Sequence, residues 1–121
     1  MPISTDRLGC FGEREAERFL KKKGMKILAR NWRVRAGELD LVARRGRCLV
    51  FVEVKTRRWP TRFAPEVAVD GKKQRRLRRA GRAWLRRHPF RFWAQIRFDV
   101  VAVTVDRSDE VVEVKHFEDA F

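Results

Sequence analysis

Glu53 and Lys55 stand two residues apart in the run Cys48-Leu49-Val50-Phe51-Val52-Glu53-Val54-Lys55, and Asp40 stands in the run Glu38-Leu39-Asp40-Leu41-Val42-Ala43 before it. In an extended strand, side chains two apart share a face, so Glu53 and Lys55 point one way and Val52 and Val54 the other. An Asp and a Glu brought within a few ångströms repel, and burying them unpaired costs several kcal/mol, so the grouping calls for a cation between them. Oxygen ligands with no His or Cys nearby favour Mg²⁺ or Mn²⁺ over zinc. The Lys55 ammonium would then lie beside a bound phosphate or an attacking water and stabilise charge that develops there. An isolated Glu-x-Lys is usually a solvated strand face. Here Leu49 to Val52 is uninterrupted apolar sequence, which fits a strand covered on both sides, and charges at the end of such a strand need a reason.

For these residues to meet, the two runs must pair as a hairpin about Gly46. A turn of two or four residues sets Asp40 opposite Phe51 or Glu53, on the face of Glu53 and Lys55. A three-residue loop breaks that parity unless a bulge restores it. Upstream, Gly12 to Lys23 is rich in helix formers, with acids early and lysines late, and stops at Gly24; the helix it predicts reaches back to Thr5 or Asp6. Lys26 to Arg33 gives a first strand, Glu38 to Ala43 a second and Cys48 to Lys55 a third. Two prolines and several arginines between Arg57 and Pro65 predict a loop. Leu77, Ala80, Gly81, Trp84 and Leu85 then recur at helical spacing, for a second helix ending near His88-Pro89. Phe98 to Val105 and Val111 to Val114 complete the pattern as strands joined by a turn over Asp106 to Asp109. The expected fold is α/β, a central mixed sheet flanked by two helices in the order α-β-β-β-α-β-β, in one domain over residues 1–121.

The chain has 121 residues, and its 30 Lys and Arg outnumber 16 Asp and Glu to give a net charge of +14. So basic a body calls for a polyanionic partner, with nucleic acid first. A membrane partner is not expected: no lipidation signal or broad-faced amphipathic helix is evident, and no apolar run approaches the ~20 residues of a span. The first residues lack the apolar core of a signal peptide, so a cytoplasmic location is expected. Cys10 and Cys48 form no ligand motif and are expected to be reduced, partly buried thiols.

Five motifs carry a wider likeness: Gly12-Glu13; Asn31-Trp32-Arg33; Gly37-Glu38-Leu39-Asp40-Leu41-Val42-Ala43; Phe51-Val52-Glu53-Val54-Lys55-Thr56-Arg57; and Arg97-Phe98-Asp99-Val100-Val101. Together they resemble the bacterial YraN-like family, which is regarded as endonuclease-like and is similar to the restriction-endonuclease superfamily and to archaeal Holliday-junction resolvases. The resemblance spans about Gly9 to Val103. It implies a restriction-endonuclease-like fold and an acid, Asp, Glu-x-Lys site at Glu13, Asp40, Glu53 and Lys55. On that reading Asp40, Glu53 and the Val54 carbonyl hold Mg²⁺ or Mn²⁺, Lys55 stabilises charge, and Glu13 orients the site. The implied reaction is hydrolysis of DNA phosphodiester bonds, branched DNA included. Resolvase-like enzymes pair two active sites, so a homodimer is open, although nothing in the sequence identifies its face.

Glu13 leans toward the core on a helical wheel, being three before Ala16 and seven before Leu20, whereas Glu15 and Glu17 fall further from that stripe and are expected to be solvated. A first-turn acid favoured by the helix dipole is the plain alternative for Glu13. From Gly71 to Phe98 there is no acidic residue. Arg75, Arg78, Arg79, Arg82 and Arg86 lie off the apolar stripe of the second helix and, with Arg57 and Lys73, are candidates for contact with nucleic acid. Lys73 and Gln74 lie nearer the inward stripe. Lys73 could reach the site, where the family pattern has a lysine, or could snorkel outward. Trp84 is core, and Trp59, just after the motif, is the best stacking candidate although packing within its loop competes. His88 and His116 have no acid or nucleophile at motif spacing. The rival reading is a noncatalytic DNA- or RNA-binding protein that keeps the nuclease fold. DNA is favoured over RNA by the resemblance and not by the basic surface, which suits either.

Overall fold

The computed structural model describes residues 4–60, 69–89 and 92–121, with Thr5 and Asp6 described in backbone only. Helix α1 (Thr5–Lys22) is followed by strands β1 (Lys26–Val34), β2 (Gly37–Arg45) and β3 (Cys48–Arg58), helix α2 (Gly71–Arg87), and strands β4 (Gln95–Val105) and β5 (Val111–Phe117). The five strands form one mixed sheet in sequence order, antiparallel except where β4 runs parallel to β3. A parallel neighbour cannot be reached by a tight turn, which is why a helix intervenes at this one step.

The continuous apolar run of β3 is explained by cover on both faces. Leu49 and Phe51 pack with Leu77, Ala80 and Trp84 of α2, while Val50 and Val52 pack with Ala16 and Leu20 of α1. Each of the buried Leu, Val and Phe side chains contributes roughly 1.5–3 kcal/mol of hydrophobic free energy, and the alanines less. Helix α1 comes unusually close to the sheet at Gly12, where a Cβ would take the place of the Thr56 hydroxyl. Only glycine permits that approach, and it carries the next residue, Glu13, toward β3.

Strand β3 outruns its expected end at Lys55. Its parallel pairing continues to Arg58 opposite Val105, and the Trp59 N–H donates to the Val105 carbonyl at 2.7 Å. Arg57 is therefore a strand residue. Of the rest of the expected loop, Trp59 and Pro60 form a turn and residues 61–65 lie outside the described residues. Two other expectations change. Cys10 is exposed, because it lies off the apolar stripe of α1, while Cys48 is half-buried and both thiols are free. Glu17 is not a solvated acid: Arg30 of β1 grips both its oxygens at 2.6 and 2.7 Å and Lys21 adds a contact at 2.8 Å. The Arg30 hydrogen bonds pull the Glu17 pKa down to about 2.

The last strand is tied in by Asp99, which is fully buried. Its carboxylate accepts from Arg97 at 3.1 and 2.9 Å, from His116 Nε2 at 2.7 Å and from the Asp119 N–H at 2.9 Å. The Lys23 ammonium lies 2.8 Å from His116 Nδ1. An ammonium can only donate, so Nδ1 accepts and Nε2 carries the hydrogen given to Asp99. His116 is thus not isolated. Its acid lies on the neighbouring strand, where sequence spacing gives no hint of it.

Burial pushes Asp99 up, but the bonds from His116, Arg97 and the Asp119 backbone outweigh it and hold the carboxyl below its ordinary value. Its contribution is therefore present at neutral pH and is lost as the pH falls below about 4 and through the lowered pKa. Asp99→Ala, which strands Arg97 and His116, is expected to cost about 3–5 kcal/mol at pH 7. Denaturant unfolding should show the gap to wild type narrowing below pH 4; a gap independent of pH would mean that lost packing accounts for the effect.

Candidate metal site at the end of the β2–β3 hairpin

Strands β2 and β3 are joined by a two-residue turn, with Arg45 paired to Cys48 and Gly46 at φ 60. That left-handed conformation favours glycine. The even turn fixes the parity, and the paired ladder runs to Leu41 opposite Val52. One step further the same register sets Asp40 opposite Glu53. There a side chain replaces the ladder: Asp40 Oδ2 accepts the Val54 N–H at 2.8 Å. The N–H and C=O of one strand residue point to the same side, so the Val54 carbonyl faces the edge that Asp40 occupies.

Glu53 is only 6% exposed. With Asp40 it lines a cavity of about 200 Å³ whose other walls are Gly37 and Glu38 of β2 and Lys73, Arg76 and Leu77 of α2. The Lys73 ammonium comes within 2.9 Å of Glu53 Oε2. No donor meets that oxygen at hydrogen-bonding angles, however, and it is the only buried carboxylate oxygen so placed among the described residues. The contact is one of charge more than of directed hydrogen bonding.

Burial, followed by the hydrogen bond and the charge of Glu53, pushes the Asp40 carboxyl up to about 9, against the pull of the Val54 N–H. Burial also raises Glu13, with the Asn31 side chain opposing and the charges of Glu38 and Glu53 adding. Glu13 is half-buried and faces a neighbouring cavity of about 280 Å³ with Cys10, Arg30, Asn31 and Leu41. It stands behind the Asp40–Glu53 pair, close enough to feel its field. Lys55 is half-buried on β3 and does not line the smaller cavity; its charge acts on Asp70, the N-cap of α2.

The donor set suits a hard divalent cation: two crowded carboxylates, one oxygen without a directed donor, and a backbone carbonyl facing the same edge. Among the described residues no group of three or more His, Cys, Asp or Glu side chains is arranged to hold a metal. Two carboxylates are nevertheless a common complement for Mg²⁺, which keeps waters and takes substrate phosphate oxygens. Asp40, Glu53 and Val54 thus come together as sequence reasoning expected, and Lys73 joins them. Gln74 does not, because its amide donates to the Val69 carbonyl at 2.8 Å. Two lining residues were not singled out from the sequence. Glu38, two before Asp40 on the same strand, could have been found by the spacing used for Glu53 and Lys55; Arg76, three after Lys73, could have been found by helical spacing.

Outside the cavity, Arg57, Arg75, Arg78, Arg79, Arg82 and Arg86 are all exposed. Helix α2 buries Leu77, Ala80, Gly81, Ala83 and Trp84 instead. Trp84 is core and meets Trp32 edge-on at 5.8 Å. Trp59, 56% exposed, is not packed away.

A model of the uncharacterised protein family UPF0102 matches residues 12–103, which contain every residue of this site. A UPF0102 protein of Rhodococcus opacus (strain B4) is 47% identical over 114 residues, covering 94% of this chain and 95% of that protein. One from Parafrankia sp. (strain EAN1pec) is 49% identical over 117 residues, 97% of this chain and 98% of its own length. One from Syntrophomonas wolfei is 47% identical over 115 residues, 94% and 96% respectively.

The raised Asp40 pKa makes a prediction about stability. A carboxyl with an ordinary value near 4 that is pushed up to about 9 retains a proton in the folded state that the unfolded chain gives up. Stability from that proton is full below pH 4 or so and is lost as pH rises through about 9. Asp40→Asn, permanently neutral and still able to accept from Val54, escapes the loss. In EDTA it should melt above wild type at pH 8, by roughly 3–6 °C for each kcal/mol recovered, and the gain should shrink toward pH 5. An equal gain at both pH values would show that the Asp40 carboxyl is not raised in the folded protein.

Proposed function

The chain belongs to the uncharacterised protein family UPF0102, and from its buried acidic pair we propose that it is an Mg²⁺- or Mn²⁺-dependent endonuclease hydrolysing phosphodiester bonds in DNA. The observation that carries this reading is the juxtaposition of Asp40 and Glu53 at the end of a covered strand, with Glu53 Oε2 buried and without a directed donor. Two carboxylates so placed raise each other's energy and serve no packing purpose; a cation between them removes the cost.

Asp40, Glu53 and the Val54 carbonyl would hold the metal, which when bound polarises the phosphodiester and lowers the pKa of a coordinated water. The protein's own contribution is to fix the position of this chemistry. The Val54 N–H locks one Asp40 oxygen and leaves the other toward Glu53. Lys55, on the same face of β3 as Glu53, stabilises charge on the phosphoryl oxygens as it grows in the transition state. Glu13, held by Asn31, orients the acidic pair from behind. The exposed arginines of α2, with Arg57, neutralise backbone phosphates on either side of the cleaved bond, a contact that gives affinity without sequence preference. The preference for DNA, branched DNA included, and any pairing of two chains rest on the likeness to resolvase-type nucleases. No helix among the described residues is long and apolar enough to cross a membrane.

A second reading has one observation in its favour. The Lys73 ammonium already lies at 2.9 Å from Glu53, so a cation is available to the pair without any metal, as a noncatalytic DNA- or RNA-binding protein would require.

Catalysis and binding should separate under mutation. Asp40→Ala or Glu53→Ala is expected to abolish Mg²⁺-dependent cleavage while leaving nucleic-acid affinity equal or higher, since an acid and no phosphate-binding cation is removed. Lys55→Met should keep metal binding and lower the single-turnover rate roughly 10²–10³-fold, the scale of losing one charge-stabilising donor. Cleavage assays on linear, flapped, four-way and RNA substrates, alongside melting curves, decide the matter. Wild-type rates in the Asp40/Glu53 double mutant would eliminate the site, and inactivity of the wild type on every substrate would favour the noncatalytic reading.

Binding should also depend on α2. Reversing Arg75, Arg78, Arg79 and Arg82 is expected to flatten the log–log dependence of affinity on salt by roughly three to four units, about 0.9 for each lost phosphate contact. An unchanged slope in a folded variant would locate the nucleic acid on another surface.

A further inference from the structure

We propose that Lys73 is a tethered counterion that occupies the acidic pair until a divalent cation displaces it, and that the released ammonium then contacts nucleic-acid phosphate. Loading the site and gripping the substrate would thereby be coupled through one side chain. The inference rests on the reading of Asp40 and Glu53 as a metal site.

Three observations support it. The Lys73–Glu53 contact is lopsided, with the glutamate side chain 7% exposed and the lysine side chain 50% exposed. The ammonium therefore enters from the solvent side, and its departure disturbs no core packing. The contact at 2.9 Å is poorly directed at Glu53 Oε2, so its attraction comes mainly from opposite charge, and a diffusible cation of higher charge competes directly. Finally, the backbone under Lys73 is anchored: its N–H donates to Asp70 Oδ1 at 2.8 Å and the Gln74 N–H to the Asp70 carbonyl at 2.9 Å. The side chain can swing on its flexible stem while its root stays fixed.

The destination of the released charge follows from the helix. Arg76 lies three residues on, hence on the same side of α2, and lines the same cavity. Glu38 and Glu53 supply the cavity's negative charge, to which Asp40 adds once a cation displaces its proton, and Lys73 and Arg76 supply its positive charge. A bound divalent cation adds positive charge beside Glu53, and repulsion then drives Lys73 toward the rim beside Arg76. A phosphate resting there would meet two cations from one helix whose outer face already carries Arg75, Arg78, Arg79 and Arg82.

The test compares wild type, Lys73→Met, Lys73→Arg and Glu53→Gln by calorimetric titration with Mn²⁺ alone, after melting curves establish that each is folded. Removing the tethered competitor should tighten Mn²⁺ binding about 2–5-fold in Lys73→Met, the scale of losing one partly exposed ion pair. Lys73→Arg should stay near wild type, and Glu53→Gln should bind poorly. A second measurement uses a duplex with hydrolysis-resistant phosphorothioate linkages. Mn²⁺ should add about one unit to the salt slope of wild-type binding, and that increment should vanish in Lys73→Met. If wild type binds Mn²⁺ but Lys73→Met binds it no more tightly, the counterion role is wrong and the metal site stands. If neither protein binds Mn²⁺, the metal site itself is wrong and this inference falls with it.

Discussion

The hydrogen bond from the Val54 N–H to the Asp40 carboxylate marks the point at which a structural hairpin becomes a chemical one. Up to Leu41 and Val52 the two strands satisfy each other's backbone in the ordinary way. Beyond that a side chain stands in for a carbonyl, at 2.8 Å, and the Val54 carbonyl faces the same edge as the N–H that Asp40 binds. The position of Asp40, the forced company of Glu53, and the cavity closed by α2 all follow from that exchange. Were the ladder to continue, the same residues would be neatly paired and chemically inert.

Two buried aspartates in this fold meet opposite fates, and the donors around them decide which. Asp99 is wholly buried, yet four hydrogen bonds from Arg97, His116 and Asp119 hold it ionised. Asp40 has one backbone donor and a second acid as its neighbour, and its carboxyl is driven up to about 9. The first arrangement lowers the free energy of the fold and ties β5 to β4. The second raises it. Its acids stay at a point where each helix approaches the sheet, α1 by way of Gly12 and Glu13, α2 by way of Lys73 and Arg76.

The element order was legible because each element carries a local signal: helix formers ending at Gly24, apolar runs between glycine turns, and a helical stripe from Leu77 to Leu85. The meeting of Asp40 with Glu53 was legible as a matter of parity, since an even turn permits it, but the turn itself had to be seen. What sequence could not supply was side-chain contact between one element and another. The Arg30–Glu17 pair joins β1 to α1, and the Asp99–His116 pair joins adjacent strands separated by a turn; neither has a spacing rule. The length of β3 was misjudged for a related reason. Arginines and prolines suggest a loop, but the parallel partner β4 offers hydrogen bonds as far as Arg58, and those outweigh local preference.

The two-residue turn between β2 and β3 constrains how this segment can change in length as lineages diverge. With Arg45 opposite Cys48, the apolar faces of both strands are in phase with the helices that cover them. Inserting or deleting a single residue there would slip that phase and exchange the two faces of one strand, carrying its acid away from the other unless a bulge absorbed the change. Changes by two residues preserve the phase, and substitutions at Arg47 leave it untouched. Evolution of the hairpin tip is thus held to residues that tolerate the left-handed backbone at Gly46 and is counted in pairs in length.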